Sequence, residues 1–281
     1  MKILILGNGY LGNRAKETWG DEAILITDRI VSIEQVISLV QTHQPDAVFN
    51  AAGVTGKPNV DWCEDHQMET IQGNTVLPIM IAQACTQTNT YLLHLGTGCV
   101  FYGRSPHEDG VWNEADAANP VAVYSRAKYA ADLVLSTMPN IGIARLRMPI
   151  DVRSCPQNLI DKITTYPKVI DVENSVTVVP DLLDACYQLM QKKGAGIFHC
   201  TNPGTIRHKQ IIALYEELVD PTHTNEWITE EDLVTQGLAK KKRSNNVMRS
   251  THLEELGIHM RPIDVAIRDV IEKYARQVKS V

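Results

Sequence analysis

A tyrosine and a lysine four residues apart, Tyr124 and Lys128, have the types and spacing that suit proton delivery to a ketone. Positions i and i+4 share one face of a helix, so the ammonium can lower the pKa of the phenol. Thr97, in a strand-like run over residues 92–99, can bind the same oxygen. The spacing alone is weak evidence, because a Tyr-x-x-x-Lys pair arises readily by chance in a chain with nine tyrosines.

Cys99 is a further candidate for chemistry, since it follows Thr97 by two residues. On an extended strand, side chains two residues apart point to the same side, so we expect the thiol to face the same substrate as Thr97. Taken alone, a cysteine at such a position is more often a small core residue.

A glycine-rich loop begins the chain, and it consists of Gly7, Asn8, Gly9, Tyr10, Leu11 and Gly12. Gly7 permits a tight turn, Gly9 lets a pyrophosphate approach the backbone, and Gly12 allows close packing of the following helix. A predicted strand precedes the loop and a predicted helix follows it, so its position indicates dinucleotide binding.

The ends of the next two strands carry the other residues that we expect at the cofactor. Asp28 could bind the ribose hydroxyls of NAD, whereas the adjacent Arg29 could hold the 2′-phosphate of NADP, and the sequence leaves both options open. The third strand closes with small residues that suit a backbone passing close to the cofactor, namely Asn50, Ala51, Ala52 and Gly53.

Strands alternate with helices along most of the chain. The hydrophobic pattern predicts strands over residues 2–6, 23–27, 47–50, 91–95, 141–146 and 196–200. It predicts helices over residues 10–19, 32–42, 75–85, 123–138, 181–192, 209–218 and 263–278. This alternation is typical of an α/β fold with a Rossmann-like, doubly wound parallel sheet. We predict an NADP-binding domain over residues 1–150 and a smaller, mainly substrate-binding region over residues 151–281, which lends some elements back to the sheet.

Composition narrows the class of protein. The 281-residue chain is 44% hydrophobic with a net charge of -6, and no window approaches the roughly 20 apolar residues of a membrane span. We therefore expect no membrane anchor and no nucleic-acid partner. The six scattered cysteines form no metal-ligand spacing, so we expect no metal site, and with no visible signal peptide they favour a cytoplasmic protein.

The order of these motifs resembles the short-chain dehydrogenase/reductase superfamily. Longer segments, residues 49–64, 147–150 and 243–246, narrow the resemblance to the nucleotide-rhamnose synthase epimerase/reductase family. That resemblance implies a bifunctional enzyme that epimerises UDP-4-keto-6-deoxyglucose at C3 and C5 and reduces C4 with NADPH, with NADH also possible. The product would be UDP-L-rhamnose.

The resemblance also implies roles for single residues. GDP-fucose synthase carries a cysteine two residues after its catalytic serine, which matches Thr97 and Cys99, and the rhamnose-forming family uses a lysine that matches Lys162. Without the family, Lys162 is more often a solvated surface charge. The resemblance places Met148 at the cofactor, and it places these residues at the substrate: Val54, Lys57, Asn59, Trp62, Asn74, Asn158, Arg243, Asn245 and Asn246.

Several alternatives stay open at this point. Residues 240–243 form a basic cluster that is either a solvated loop or a site at which Arg243 binds a diphosphate. Met248-Arg249 stands where relatives have leucine and aspartate, which leaves the base contacts, and uracil versus thymine, undecided. A 4-keto-reductase without epimerase activity and a non-catalytic regulatory subunit are the competing functions, and a homodimer is expected by analogy.

Overall fold

The computed structural model describes residues 1–57 and 59–279, so Pro58 of the run that suggested the family lies outside the described residues. The strands are β1 Ile3–Leu6, β2 Ala23–Ile26, β3 Ala47–Asn50, β4 Tyr91–Thr97, β5 Ile141–Leu146, β6 Pro149–Ile150, β7 Lys168–Ile170, β8 Glu173–Asn174, β9 Thr177–Val178, β10 Gly196–His199, β11 Ile206–Arg207 and β12 Glu226–Ile228. The helices are α1 Tyr10–Trp19, α2 Ile33–His43, α3 Trp62–Asp65, α4 Gln67–Ile71, α5 Leu77–Gln87, α6 Val123–Leu135, α7 Leu159–Thr165, α8 Val179–Lys192, α9 His208–Leu218, α10 Glu230–Thr235, α11 Thr251–Glu255 and α12 Ile263–Val278.

Six strands form one parallel sheet in the order β10-β5-β4-β3-β1-β2. The order reverses between β1 and β3, and in open sheets of this kind ligands bind in the crevice beyond the carboxyl ends of the strands at that reversal. The predicted doubly wound parallel sheet is therefore confirmed. The register aligns Leu6 with Asn50 and Asn50 with His94, so the ends of β1 and β3 lie level with each other and β4 extends three residues beyond them.

Apolar side chains on both faces of the strands hold the sheet between two helical layers. Ile3 and Ile5 of β1 belong to a core cluster with residues of α1 and α8, whereas Leu4 and Leu6 belong to a second cluster with residues of α2, α5 and α6. Alternate residues of a strand face opposite sides, which is why a continuous apolar run fits a sheet that is covered twice.

The later half of the chain contributes to both the sheet and a separate core. Strand β10 pairs with β5 at the edge of the main sheet, and α8 packs against the same sheet. A third apolar cluster is formed mainly by α7, α9 and α12 together with short strands. The division of the chain near residue 150 stays a prediction.

Two local expectations were wrong. Helical structure begins well before residue 75, since α3, α4 and a π-helical turn over Gln72–Val76 lead into α5. Strand β4 ends at Thr97, and Gly98–Val100 forms a 3₁₀ turn, so Cys99 does not continue an extended strand beside Thr97. The reason is local, because the Thr97 hydroxyl accepts a hydrogen bond from the Cys99 backbone N–H at 3.1 Å and caps the turn.

Among the described residues, no helix combines the length and the apolar character that a membrane crossing requires.

A buried ion pair links α6 to the sheet. Arg145 Nε of β5 donates to Asp132 Oδ2 of α6 at 2.8 Å, and both side chains are essentially inaccessible to solvent. Burial raises the pKa of Asp132, and the guanidinium opposes that shift. Removing one partner of such a pair leaves an uncompensated buried charge.

We predict that Asp132→Ala lowers the free energy of unfolding by about 3–5 kcal/mol, because Arg145 would lose its only carboxylate partner within the described chain. Urea unfolding measures the change. Glu217→Ala, which breaks the exposed Arg268–Glu217 pair, is the matched control and should leave the unfolding midpoint nearly unchanged. Equal effects of the two substitutions would contradict a structural role for the buried pair.

Candidate active site

The glycine loop between β1 and α1 is tightly packed at Gly7 and Gly12 and open at Gly9. Gly7 has a φ of +114°, and a Cβ there would lie 2.5 Å from the backbone nitrogen of Ala52. A Cβ on Gly12 would lie 1.9 Å from the carbonyl oxygen of Gly7, whereas Gly9 has open space around it. The loop is therefore shaped for phosphates at the N-terminus of α1, and these residues fit a bound dinucleotide.

Asn50 and His94 shape the turn that faces this loop. Asn50 Oδ1 accepts a hydrogen bond from the Ala52 backbone N–H at 3.0 Å, and its amide nitrogen lies 3.0 Å from Nδ1 of His94. Burial and the charge of Lys128 hold the pKa of His94 well below its ordinary value, so the imidazole is neutral. Sequence analysis missed His94; its position opposite Asn50 in the β3–β4 register is the signal that could have found it.

Tyr124 and Lys128 project from the start of α6 into the same region. The Lys128 ammonium donates to the Leu95 carbonyl at 3.0 Å, and it lies 3.4 Å from where a Cβ of Gly53 would be. Burial lowers the pKa of Lys128 to about 8, and the charge of Asp132 opposes that shift. The ammonium therefore lies against the turn that is expected to contact the cofactor.

The pKa of Tyr124 is raised, contrary to the expectation that Lys128 lowers it. Burial is the largest cause, and the hydrogen bond with Thr97 only partly opposes it. Because the Lys128 ammonium points at a backbone carbonyl, it does not offset the desolvation of the phenol. The hydroxyl thus stays protonated, which suits a proton donor.

Cys99 and Lys162 come together beside this pair. The Cys99 thiol accepts a hydrogen bond from Arg147 Nη1 at 3.3 Å. Burial lowers the pKa of Lys162, and its interaction with Cys99 opposes that shift. Lys162 is therefore a partly buried lysine close to the thiol and is not a solvated surface charge.

Asn74 and Asn158 have their side-chain amides committed to the backbone. Asn74, within the π-helical turn, accepts from the Val54 N–H at 3.0 Å and donates to the Val54 carbonyl at 2.7 Å. Asn158 caps α7 and donates to the carbonyls of Asp151 and Arg153. Both side chains are fully buried, so the structure shows them positioning loops and does not present them as open ligands.

The segment after the basic cluster folds over the 3₁₀ turn. Arg243 forms a bidentate ion pair with Asp61, at 2.9 and 2.7 Å, so its guanidinium is already held by a carboxylate. Asn246 is buried and donates to the carbonyls of Gly98 and Phe101. Asn245 bonds the side chains of Glu230 and Asn174.

The remaining predicted substrate residues lie in the loop between β3 and α4. The Trp62 ring stacks on His66 with centroids 3.8 Å apart, and Asn59 accepts from the Asp61 N–H at 2.9 Å. Lys57 is exposed. Stacking on His66 therefore explains the position of the Trp62 ring, whereas the Lys57 side chain is exposed to solvent.

Asp28 and Arg29 are both exposed just beyond β2. Met148 has a φ of +42°, an uncommon conformation for a residue with a side chain, and it lies two residues after the end of β5. Strained backbone of this kind concentrates at functional sites, and the carboxyl end of β5 lies at the crevice edge of the sheet.

Asp151 ties the glycine loop to the segment after β5, and sequence analysis missed it. Its carboxylate accepts hydrogen bonds from the Tyr10 hydroxyl and from Arg14 Nε, both at 2.6 Å. Burial raises the pKa of Tyr10, and the Asp151 charge adds to that shift. Within residues 1–57 and 59–279, no group of three or more His, Cys, Asp or Glu side chains is arranged to hold a metal ion.

Two characterised relatives share extensive sequence with this chain. It is 35% identical over 262 residues to a bifunctional dTDP-4-dehydrorhamnose 3,5-epimerase/dTDP-4-dehydrorhamnose reductase of Arabidopsis thaliana, covering 90% of this chain and 86% of that protein. It is 32% identical over 285 residues to a trifunctional UDP-glucose 4,6-dehydratase/UDP-4-keto-6-deoxy-D-glucose 3,5-epimerase/UDP-4-keto-L-rhamnose-reductase of the same plant. That match covers 98% of this chain but only 42% of the trifunctional protein.

Solved structures agree with this relationship. A UDP-rhamnose synthase of Acanthamoeba polyphaga mimivirus superposes with a TM-score of 0.89 at 28% identity, covering 97% of this chain and 99% of that one. A dTDP-4-dehydrorhamnose reductase of Bacillus anthracis in complex with NADP shares the fold, with a TM-score of 0.82 at 20% identity, covering 99% of this chain and all of that one. A family model, described as the RmlD substrate binding domain, matches residues 1–276, and the chain belongs to that family.

Proposed function

We propose that this protein converts UDP-4-keto-6-deoxy-D-glucose to UDP-L-rhamnose by epimerisation at C3 and C5 followed by NADPH-dependent reduction at C4. The observation that carries the proposal is that one cluster contains groups suited to both reactions. Tyr124 and Thr97 form a donor pair for a ketone oxygen, and Cys99 and Lys162 interact beside them. The epimerase/reductase activities named for the plant relative, and the description of the mimivirus protein as a UDP-rhamnose synthase, support this assignment.

Reduction requires a proton donor at the C4 oxygen. The Tyr124 hydroxyl, kept protonated by burial, delivers that proton, and Thr97 holds the same oxygen. NADPH, when bound, supplies the hydride that C4 receives. Lys128, whose ammonium lies against the Gly53 turn, would orient the cofactor ribose.

Epimerisation uses the same oxygen for a different purpose. A C4 ketone acidifies the C–H bonds at C3 and C5, and the donors Tyr124 and Thr97 stabilise the enolate that forms when a proton leaves. One group must take the proton from one face of the ring and another must return a proton to the opposite face. Cys99 and Lys162 are the titratable pair that we assign to these two roles.

The cofactor preference rests on the end of β2. Exposed Arg29 suits the 2′-phosphate of NADPH, whereas the neighbouring Asp28 suits a free ribose and leaves NADH as a second possible donor. Gly7, Gly9 and Gly12 leave space for the pyrophosphate, and the NADP complex of the reductase with the same fold supports this placement.

For the nucleotide half of the substrate, we assign Arg243 to the diphosphate. Its ion pair with Asp61 holds the guanidinium in a defined orientation while about a quarter of the side chain stays exposed, at 26%. We assign Lys57, which is exposed, and Asn59 and Asn245, which are partly exposed, as further polar contacts. We assign UDP because the mimivirus protein is described as a UDP-rhamnose synthase. The plant bifunctional relative is named for a dTDP-linked sugar, so it does not support uridine.

We further propose a cytoplasmic homodimer. All six cysteines are free thiols, as a reducing compartment would keep them. Two packed helices, α4 and α6, expose large apolar side chains, including Met68 at 65% and Leu133 at 54%. Pairing of two copies through these helices would cover that surface.

The epimerase assignment predicts hydrogen exchange without any reduction. In heavy water with cofactor withheld, the protein should introduce deuterium at C3 and C5 of UDP-4-keto-6-deoxyglucose, as NMR of the recovered sugar would show. Cys99→Ala should slow the exchange at one or both carbons by about 10²–10⁴-fold, since it removes one of the two proton carriers.

Cys155→Ala is the matched control for that experiment, because Cys155 is the other partly exposed thiol, and it should exchange at the parent rate. A Cys99→Ala protein that still exchanges at the parent rate would leave a 4-keto-reductase without epimerase activity. Flat nicotinamide absorbance with NADPH and substrate would favour a non-catalytic regulatory subunit.

Lys128 predicts the pH dependence of the reduction. Its pKa of about 8 means that the ammonium is present below that pH and is lost above it. We therefore expect kcat/KM for reduction to hold up to about pH 8 and then to fall by about tenfold per pH unit. Lys128→Arg should abolish this descending limb at a lower overall rate, because a guanidinium stays protonated. If kcat/KM falls with the same pH dependence in both proteins, a group other than Lys128 is responsible.

The homodimer predicts a molecular mass in solution twice that of the 31.3 kDa chain. Sedimentation equilibrium measures it. Leu133→Asp, which places a charge on the exposed face of α6, should shift the protein to monomers, whereas Val265→Asp on α12 should not. A monomeric parent protein would contradict this assignment.

A further inference from the structure

Arg147 is a buried cation whose charge the proposed chemistry has not used. It directly follows β5, and its side chain is only 1% exposed. Nη1 donates to Cys99 Sγ at 3.3 Å, while Nη2 donates to the Asn174 side-chain oxygen and to the Ser244 carbonyl. Nε is buried and has no hydrogen-bond partner among the residues that the structure describes.

A comparison with buried Arg145 and partly buried Arg14 shows what is unusual here. Arg145 pairs with Asp132, and Arg14 pairs with Asp151, so each has a carboxylate within 3 Å. Across residues 1–57 and 59–279, no carboxylate lies within ion-pair distance of Arg147. An unpaired buried charge is costly, so a guanidinium in this position calls for another anion.

We propose that Arg147 is a positioning residue whose guanidinium pairs with the thiolate of Cys99 and so makes Cys99 the group that takes the first proton in epimerisation. This inference deepens the proposed function and rests on it. Of the three hydrogen-bond partners that the described residues give the Arg147 side chain, Cys99 Sγ is the one that can become an anion, since the other two are an amide oxygen and a backbone carbonyl.

The backbone around the thiol is built to bring it against this arginine. Gly98 precedes Cys99 in the 3₁₀ turn, and a Cβ on Gly98 would lie 3.2 Å from Cδ of Arg147 and 2.3 Å from Sδ of Met248. Glycine therefore lets the turn approach the guanidinium stem closely. The Arg147 backbone N–H is itself fixed by a hydrogen bond of 2.9 Å to the Thr177 hydroxyl.

Four charged or titratable groups face Cys99 in the described part of the chain. Arg147 after β5 and Lys162 on α7 are cations that favour the thiolate. Tyr102, after the 3₁₀ turn, and Tyr124 on α6 have their pKa values raised by burial, so they are neutral near Cys99 at physiological pH. Burial lowers the pKa of Arg147, and its interaction with Cys99 opposes that shift.

Two cations are needed for two different tasks. Lys162 must give up a proton, so it cannot serve as a permanent counter-charge, whereas a guanidinium remains protonated throughout. Arg147 is also poorly placed to bind the substrate diphosphate, since it is only 1% exposed. Arg243, which is partly exposed, is the arginine that remains available to that group.

The proton balance of the step follows from this assignment. The Cys99 thiolate takes a proton from the carbon beside C4, the C–H bond breaks, an S–H bond forms, and the electron pair moves to the carbonyl oxygen. Tyr124 and Thr97 hold the resulting enolate. The Lys162 ammonium then gives a proton to the opposite face, and the electron pair returns to form the new C–H bond. Transfer of the thiol proton to the neutral amine restores thiolate and ammonium, so the cycle consumes no other reagent.

Alkylation by iodoacetamide tests the pair without any substrate, because only the thiolate reacts and the reagent itself is uncharged. The labelling rate of Cys99 would be followed by mass spectrometry as pH is raised. In Arg147→Met, the pH of half-maximal rate should rise by at least about one unit, the shift expected for loss of one adjacent opposite charge. In Arg147→Lys, which keeps the charge, most of that shift should be absent.

Cys155, labelled in the same samples, is the internal control, and its profile should be the same in all three proteins. A Cys99 profile in Arg147→Met that matches the parent would overturn the inference. So would an equal shift at Cys155, since it would report a general loss of structure.

A second measurement needs no arginine variant, so a folding failure of Arg147→Met would not leave the pair untested. The ultraviolet absorbance of thiolate would be titrated in the parent protein and in Cys99→Ala. Their difference should show a thiolate at neutral pH. A difference that develops only at strongly alkaline pH would overturn the pair.

Neither readout involves turnover, which separates this inference from the function on which it rests. A neutral-pH thiolate in a protein that exchanges no hydrogen with the sugar would contradict the epimerase assignment and support the ion pair. Hydrogen exchange by a protein whose Cys99 is a thiol at neutral pH would support the epimerase assignment and contradict the ion pair.

Discussion

The desolvated ammonium of Lys128 is the constraint on which the site depends. It is held between the Leu95 carbonyl and the Gly53 turn, and burial brings its pKa to about 8, within reach of physiological pH. Its neighbour on the next turn of α6 is Asp132, which is in turn fixed by Arg145. The charges alternate in sign from the sheet to the helix, so each cation lies near the Asp132 carboxylate. The protonation of the site is thus a property of how α6 packs on β4 and β5.

The same packing explains why catalytic and cofactor residues meet. Parallel strands present all their carboxyl ends at one edge, and β1, β3 and β4 end there in the glycine loop, the Asn50 turn and Thr97. Neutral His94 fixes Asn50 without adding a second cation beside Lys128. A protonated imidazole at that depth would repel the ammonium.

Local signals account for what the sequence could predict. The glycine loop, the apolar strands and the Tyr124–Lys128 spacing each depend on a few neighbouring residues, and the sheet that they imply is confirmed. The π-helical turn was missed because it packs against a residue that is distant in the sequence. A Cβ on Gly73 would lie 2.4 Å from Cγ2 of Val54, so this position of the turn requires glycine. Similarly, the pairing of Arg243 with Asp61 joins residues 182 positions apart.

Arg147 shows a further limit of reading residues one at a time. An arginine is expected at the surface, and composition gives no sign that this one is buried beside a thiol instead of a carboxylate. Only the fold reveals it, because β5, the 3₁₀ turn and the segment around Ser244 come from three separate parts of the chain.

In the proposed function the two reactions must occur in a fixed order, and the site's electrostatics bear on that order. Acidity at C3 and C5 exists only while C4 is a ketone, so reduction ends epimerisation permanently. A phenol whose pKa is raised stabilises an enolate by hydrogen bonding without losing its own proton, and Tyr124 is such a phenol. It releases that proton only when C4 becomes an alkoxide, a far stronger base than an enolate. Burial of Tyr124 therefore favours repeated proton exchange at the neighbouring carbons before the single step that fixes the product.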